Sequence, residues 1–289
     1  MPVGTALKQT LFIMSNKNNI EMHWPSKVVA VVVPLHNKEG LTAEEEISKN
    51  HLVHYLGKYD KYMIAPKNLN VSHQGFEIVK MDEKFFGSIS ANRRMMFSRA
   101  FYEVFQDYKY ILIYHLDALV LSDQLEEWCG TDVDYIGAPW FNSEYSPHIK
   151  DRILRNGGFS LRKVSSFMKI IDSKRYALPP NEYWERYFAD KPKFIRFVNL
   201  PRKYIKHLMR FNNVQREMHK FRRNEDRFWS GEAVKYYPEF SVAPFELALK
   251  FAFEVAPRKS FQMNNNTLPF GCHAWARYDK DFWEPYLLR

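Results

Sequence analysis

The chain has 289 residues, of which 46% are hydrophobic, 16% aromatic and 26% charged, a balance that excludes a disordered, collagenous or coiled-coil protein. Its formal charge is +9, yet residues 191–223 alone carry eleven Lys and Arg against Glu217, a local +10. The rest of the chain is therefore close to neutral, which disfavours uniform coating by nucleic acid. The longest aliphatic run, Val28–Val33, is far short of the ~20 residues that span a bilayer, and Cys129 and Cys272 are too few for a disulfide framework and are not spaced as a zinc site. No signal-peptide pattern is present, so the expectation is a cytoplasmic protein with reduced thiols.

Residues 1–27 show no sustained period and read as an N-terminal arm. Val28–Val33, stopped by Pro34, reads as a buried strand of a parallel sheet. Thr42 and Glu45 form a capping box that opens a helix running to about Gly57. Lys61–Ala65 and Phe76–Val79 read as short strands, Ser90–Phe105 as one helix with Met95, Met96, Phe101 and Val104 on its apolar side, and Tyr110–Tyr114 as a second buried strand. Such alternation predicts an α/β domain with helices on both faces of a parallel sheet. Asn224–Asp226 and Pro244 each open a further helix. The basic segment mixes its cations with Phe194, Ile195, Phe197, Val198, Leu200, Tyr204, Ile205, Leu208, Met209 and Phe211, which suits either an anionic membrane surface or a solvated helical insertion with an exposed basic face.

In an open parallel sheet, ligands bind beyond the carboxyl ends of the strands. Pro34-Leu35-His36-Asn37 stands there, although an ordinary strand-to-helix loop explains it equally well, and no glycine-rich dinucleotide or phosphate-loop motif follows. His115 and Asp117 follow the second buried strand, and residues two apart in an extended chain point the same way and can grip one cation; the mixed nitrogen and oxygen set suits Mn²⁺ over Mg²⁺. A packed histidine and a capping aspartate are the ordinary alternative. Gly157 and Gly158, within Asn156-Gly157-Gly158-Phe159, permit close backbone approach to a ligand or simply make a turn. Glu225 and Asp226 put two carboxylates at a helix start, where one can act as a base or both can cap. His273 reads as a late metal ligand or a buried structural histidine.

Taken in order, Val28–Asn37, His115-Leu116-Asp117, Asn156–Ser160, Glu225-Asp226 and His273 resemble the landmarks of a GT-A-type glycosyltransferase. More closely, the segments 110–118, 134–140, 156–162, 224–226 and 268–273 are similar to the bacterial family of proteins of unknown function numbered 5672, from residue 28 to the end. The resemblance implies a GT-A-like, mostly parallel sheet flanked by helices, with a nucleotide-binding half at 28–140 and an acceptor half at 141–289 that carries the basic insertion 191–223. It implies a donor site of Pro34, His36, Asn37, Asn92, Arg93, Asp117, Asn156, Gly157 and Gly158, and an acceptor site of Trp140 and Phe159. His115 replaces the first aspartate of the usual Asp-x-Asp metal motif, so a divalent ion, Mn²⁺ or Mg²⁺, would be held by His115, Asp117 and His273. Without one, Arg93, Arg94 or Arg162 would neutralise the leaving diphosphate. Asp226, beside Glu225, matches the base of an inverting reaction. The implied partners are a nucleotide-sugar donor and a glycan or lipid-linked acceptor of surface-polysaccharide synthesis, with residues 191–223 at the inner face of the cell membrane. A noncatalytic nucleotide- or sugar-binding protein is the alternative, and a nucleic-acid binder using Tyr204 and Phe211 stands well behind both.

Overall fold

The Val28–Val33 run forms the inner length of strand β1 (Lys27–Pro34), and its side chains divide by the two-residue period of a strand. Ala30 and Val32 enter one core, Val29, Val31 and Val33 another. Ile111 and Ile113 of β4 (Tyr108–Tyr114) split from Tyr110, Leu112 and Tyr114 in the same way, so the sheet is buried on both faces. The computed structural model describes residues 25–35, 40–175, 179–209 and 213–288. Nearly all of the expected N-terminal arm, together with His36 and Asn37, lies outside them.

The other strands are β2 (Asp60–Pro66), β3 (Glu77–Met81), β5 (Leu119–Val120), β6 (Tyr135–Gly137), β7 (Pro139–Trp140), β8 (Ile153–Leu154), β9 (Phe159–Lys163), β10 (Ala252–Phe253) and β11 (Gly271–Cys272). The main sheet runs β3-β2-β1-β4-β9-β6. Its β3-β2-β1-β4 part is parallel, while β9 is inserted antiparallel between β4 and β6, with Tyr114 opposite Phe159 and Ile113 opposite Ser160. This is the expected mostly parallel sheet flanked by helices. A small β10-β11-β5 sheet and a β7-β8 pair extend it beside the ends of β4 and β9.

Helix α1 (Ala43–Leu56) begins with the predicted capping box: the Thr42 amide donates to Glu45 Oε2 at 2.7 Å, and the Glu45 amide donates to Thr42 Oγ1 at 3.3 Å. The single helix expected over residues 90–105 is instead two, α2 (Ile89–Met96) and α3 (Arg99–Glu103). Ser98 makes the break, donating to the Met95 carbonyl at 2.8 Å and accepting from the Phe101 amide at 3.3 Å, so that one hydroxyl closes one helix and caps the next. After α4 (Leu125–Cys129) and α5 (Val164–Ile171), the basic region folds as α6 (Pro180–Phe188), α7 (Lys193–Leu208) and α8 (Val214–Lys220). Helix α9 (Glu225–Arg227) is a single turn, and its passage into a π turn over Phe228–Glu232 places Phe228 and Trp229 in the core.

Helix α7 reverses the expected exposure of a basic face. No residue of it is buried, and its apolar stripe points to solvent, with Phe194, Phe197 and Leu208 exposed by 73%, 76% and 76%. The half-buried side carries Arg196, Asn199, Lys203 and Lys206. The cause is the polar surface of α6 beneath: Lys206 Nζ donates to the Tyr183 hydroxyl at 2.7 Å, and Arg196 lies 3.9 Å from Glu185. Among the described residues no helix is long and apolar enough to cross a membrane. Both cysteines are free and buried.

Candidate active site

The cleft lies where β1 and β4 end and β9 begins. Pro34 closes β1, His115 follows β4, Asn156–Gly158 lead into β9, α9 brings Glu225 and Asp226, and β10 and β11 are followed by Glu254 and His273. These residues, with Asn92, Trp140 and the Phe85–Ile89 stretch, line a volume of about 580 Å³. No Lys or Arg is among them.

The paired glycines make room for protein side chains. A Cβ on Gly158 would collide with His273 Nε2 and stand 2.8 Å from His115 Nδ1, and one on Gly157 would collide with Glu225 Oε1. Asn156 fixes this turn, its Oδ1 accepting from the Gly158 amide at 2.8 Å and the Phe159 amide at 3.0 Å. The His115 amide donates to the Gly158 carbonyl at 2.7 Å, which ties the turn to the end of β4.

His115, Asp117 and His273 each present a ligand atom within 4.8 Å of the others. His273 Nε2 is 3.2 Å from Asp117 Oδ1 but, though buried, makes no aligned hydrogen bond, while its Nδ1 sits 2.8 Å from Glu254 Oε1. A carboxylate on one ring nitrogen and a second carboxylate 3.2 Å from the other fit a divalent cation that takes the place of the ring proton. Burial works against a charge on His273, but Asp117 and Glu254 outweigh it and raise its pKa to about 10. Asp117 is half exposed; desolvation opposes its charge, yet His273 and His115 hold the carboxyl below the usual range. A cation entering this set displaces the His273 proton.

Glu225 and Asp226 are neighbours with opposite surroundings. Glu225 Oε1 accepts from Arg162 Nη2 at 3.1 Å, and Arg162 has no exposed surface. Asp226 is also buried, and its Oδ1 has no hydrogen-bond partner among the described residues. Burial and then the Glu225 charge push the Asp226 carboxyl up to about 7. It can therefore take or release a proton near neutrality.

The family model described as "Protein of unknown function (DUF5672)" matches residues 75–273. The chain belongs to this family. The match takes in β4, β9, α9 and His273, and leaves β1 and β2 outside. No curated protein matches the DUF5672 chain in sequence. Among solved structures it is similar to the apo-form glycosyltransferase GlyE of Streptococcus pneumoniae TIGR4 at 12% identity and a TM-score of 0.40, over 91% of this chain and 60% of that one. It thus spans less than two thirds of the GlyE chain. It is also similar to the galactosyltransferase LgtC in complex with donor and acceptor sugar analogues, at 10% identity, a TM-score of 0.40 and 84% and 86% coverage. Likeness this distant says nothing of chemistry.

Of the predicted site residues, the DUF5672 chain gathers Pro34, Asn92, His115, Trp140, Asn156, Gly157, Gly158, Glu225, Asp226 and His273 around the cleft, with Asp117 against His273. His273, from the expected acceptor half, joins His115 and Asp117 of the nucleotide half. Three assignments are corrected. Phe159 is fully buried among Tyr114, Phe251 and Phe270 and meets no acceptor. Arg93 and Arg94 turn to a neighbouring cleft, where Arg93 donates to the Arg222 carbonyl at 2.9 Å and Arg94 to the Lys84 carbonyl at 2.7 Å. Arg162 is occupied by Ser160, Tyr102, Gly157 and Glu225 and cannot reach a diphosphate. His36 and Asn37 lie outside the described residues. Sequence reasoning missed Glu254; reading Ala252-Phe253 as a short strand would have placed it at a strand end.

Two outcomes are expected. Glu254→Gln lowers Mn²⁺ affinity about 10–100-fold in a calorimetric titration, because the His273 ring loses the carboxylate that orients it. Asp226→Asn stabilises the fold above pH 7. The pKa of Asp226 is raised from 3.8 to about 7, so burying its carboxylate weakens the native state as pH climbs between those values and in full above them. The variant melts about 2–4 °C higher for each ~1 kcal/mol relieved. That gap shrinks as pH falls from 7 toward 3.8.

Proposed function

We propose that this protein is a GT-A-type glycosyltransferase that moves a sugar from a nucleotide-sugar donor to an acceptor hydroxyl, with inversion. One observation carries the reading: a buried Asp226 carboxylate with an unpartnered oxygen, and the two imidazoles of the His115, Asp117 and His273 set, line one cleft whose described lining has no Lys or Arg. A diphosphate cannot be seated beside Glu225, Asp226 and Glu254 without a compensating cation. His115, Asp117 and His273 would hold Mn²⁺ or Mg²⁺, and the bound ion supplies the positive charge that a leaving nucleoside diphosphate needs.

The chain's own residues divide the remaining work. Asp226 accepts the proton of the acceptor hydroxyl at its carboxylate as that oxygen attacks the anomeric carbon. Trp140 offers a flat apolar face to a sugar, and its indole Nε1 donates to Glu254, which fixes the ring. Glu225 is committed to Arg162 and Glu254 to His273, which leaves Asp226 as the carboxylate of the cleft available to act as a base. With Asp226 as that base, a single in-line displacement inverts the anomeric centre.

A thermal-shift screen of nucleoside diphosphates with and without Mn²⁺ tests the reading; saturation at 100 times the dissociation constant adds ~2.7 kcal/mol. Asp226→Asn is expected to keep nucleotide binding and lose about 10²–10⁴-fold in turnover, measured by nucleoside diphosphate release with a glycan acceptor. Nucleotide binding with no turnover in the parent would instead favour a noncatalytic binding protein.

The outward apolar stripe of α7 supports peripheral attachment to an anionic membrane face, where a lipid-linked acceptor would reside. Phe194, Phe197, Val198, Tyr204, Ile205 and Leu208 supply apolar surface, Lys193 and Arg202 supply flanking charge, and the surrounding +10 repels a second copy while attracting anionic headgroups. Phe197→Ser with Leu208→Ser is expected to abolish flotation with phosphatidylglycerol vesicles and leave the melting temperature unchanged. Undiminished flotation would reject the surface.

A further inference from the structure

A second cleft, of about 430 Å³, backs onto the candidate active site. Arg152, Arg155, Arg223 and Arg227 line it, and no Asp or Glu does. Three of them adjoin, along the chain, residues of the first cleft: Arg155 precedes Asn156, Arg223 precedes Asn224, and Arg227 follows Asp226. The two clefts are thus lined by neighbouring residues of the same stretches of chain, one of which carries Asp226.

These arginines are unusually poor in partners. Arg152 lies 3.6 Å from Glu246. Arg155, Arg223 and Arg227 have no carboxylate within ion-pair distance among the described residues, and Arg155 Nε is buried without a hydrogen-bond partner. Arg155 is oriented rather than loose, since its guanidinium lies 5.7 Å from the Trp140 ring centroid and its amide donates to the Ala138 carbonyl at 3.1 Å. Burial, and next the Arg227 charge, lower the pKa of Arg155; Asp226 partly offsets this and Arg223 adds to it. Clustered guanidinium groups repel one another, and the repulsion is relieved by a multivalent anion whose oxygens match their planar forks.

We propose that Arg155, Arg223 and Arg227 form a binding site for a phosphate or diphosphate group, carried by the acceptor whose hydroxyl is presented to Asp226. This assignment of substrate class rests on the transferase reading. The anion site itself does not. The donor's own diphosphate has the same chemistry, and the arms of the test distinguish the two sources.

The test titrates inorganic pyrophosphate into the full chain by calorimetry, with a chelator present so that His115, Asp117 and His273 hold no ion. Arg155→Gln with Arg227→Gln is expected to weaken binding at least about tenfold, and Arg223→Gln alone, at an exposed position that does not endanger folding, by about 3–10-fold. Arg196→Gln with Arg202→Gln on α7 should leave it unchanged. The same variants are then titrated with UDP and GDP in the presence of Mn²⁺. Retained nucleotide binding assigns the site to the acceptor, and parallel loss assigns it to the donor's phosphates; both support an anion site. Absence of pyrophosphate binding, no loss in Arg223→Gln and the double variant, or an equal loss in the α7 control overturns the proposal. Pyrophosphate binding without any nucleotide binding would keep the anion site and remove the transferase reading, so the two fail separately.

Discussion

A full positive charge without exposed surface is the interaction on which the site depends. Arg162 sits in β9, the one antiparallel strand of the main sheet, and donates from Nε to Ser160 Oγ at 3.0 Å, from Nη1 to the Tyr102 hydroxyl at 3.1 Å, and from Nη2 to the Gly157 carbonyl at 3.2 Å and Glu225 at 3.1 Å. Burial opposes this charge, and Tyr102 and Glu225 outweigh the opposition. An unpaired ion here would cost several kcal/mol, so α3, the glycine turn and α9 are held at fixed distances from one strand. Two of them, the glycine turn and α9, supply walls of the cleft.

The same bond decides what the carboxylates are for. Three of them line one small volume, and each has a different environment. Glu225 balances Arg162, Glu254 orients His273, and Asp226 is left with an unpartnered oxygen. Unfilled hydrogen-bonding capacity in a buried group weakens the fold, and such groups persist where the chemistry uses them. The glycines at 157 and 158 belong to the same economy, because any side chain there would occupy the space of Glu225 or of the two imidazoles.

Much of this was legible in the sequence and some was not, for physical reasons. The β-branched run at Val28–Val33, the Thr42 and Glu45 capping box and the Tyr110–Tyr114 strand are local signals, and each stands in the structure as read. The order of His115, Asp117, Asn156–Gly158, Asp226 and His273 indicated a site because strand ends collect at one edge of a sheet. Tertiary matters escaped. Ser98 reads as an ordinary helix residue until its hydroxyl is seen bridging Met95 and Phe101. Phe159 sits next to the glycines in sequence but alternates into the core, and Arg162 looks exposed by composition while its partners come from residues 60 and 63 positions away. The inward polar side of α7 is set by Tyr183 and Glu185 beneath it, which no period within α7 encodes.

That inversion also bears on how α7 stays folded. Sixteen residues are near the lower limit at which a helix persists in water unaided, and most helices borrow the balance from an apolar face pressed onto a core. Helix α7 borrows almost nothing, since none of its residues is buried and its anchors are half-exposed polar contacts. Its opening free energy therefore sits at the low end of the molecule, well below that of β1 or β4, and its amides exchange with solvent independently of the sheet. Whatever covers Phe194, Phe197 and Leu208 contributes the missing burial, so the ordering of the helix and the occupation of its outer face are a single equilibrium.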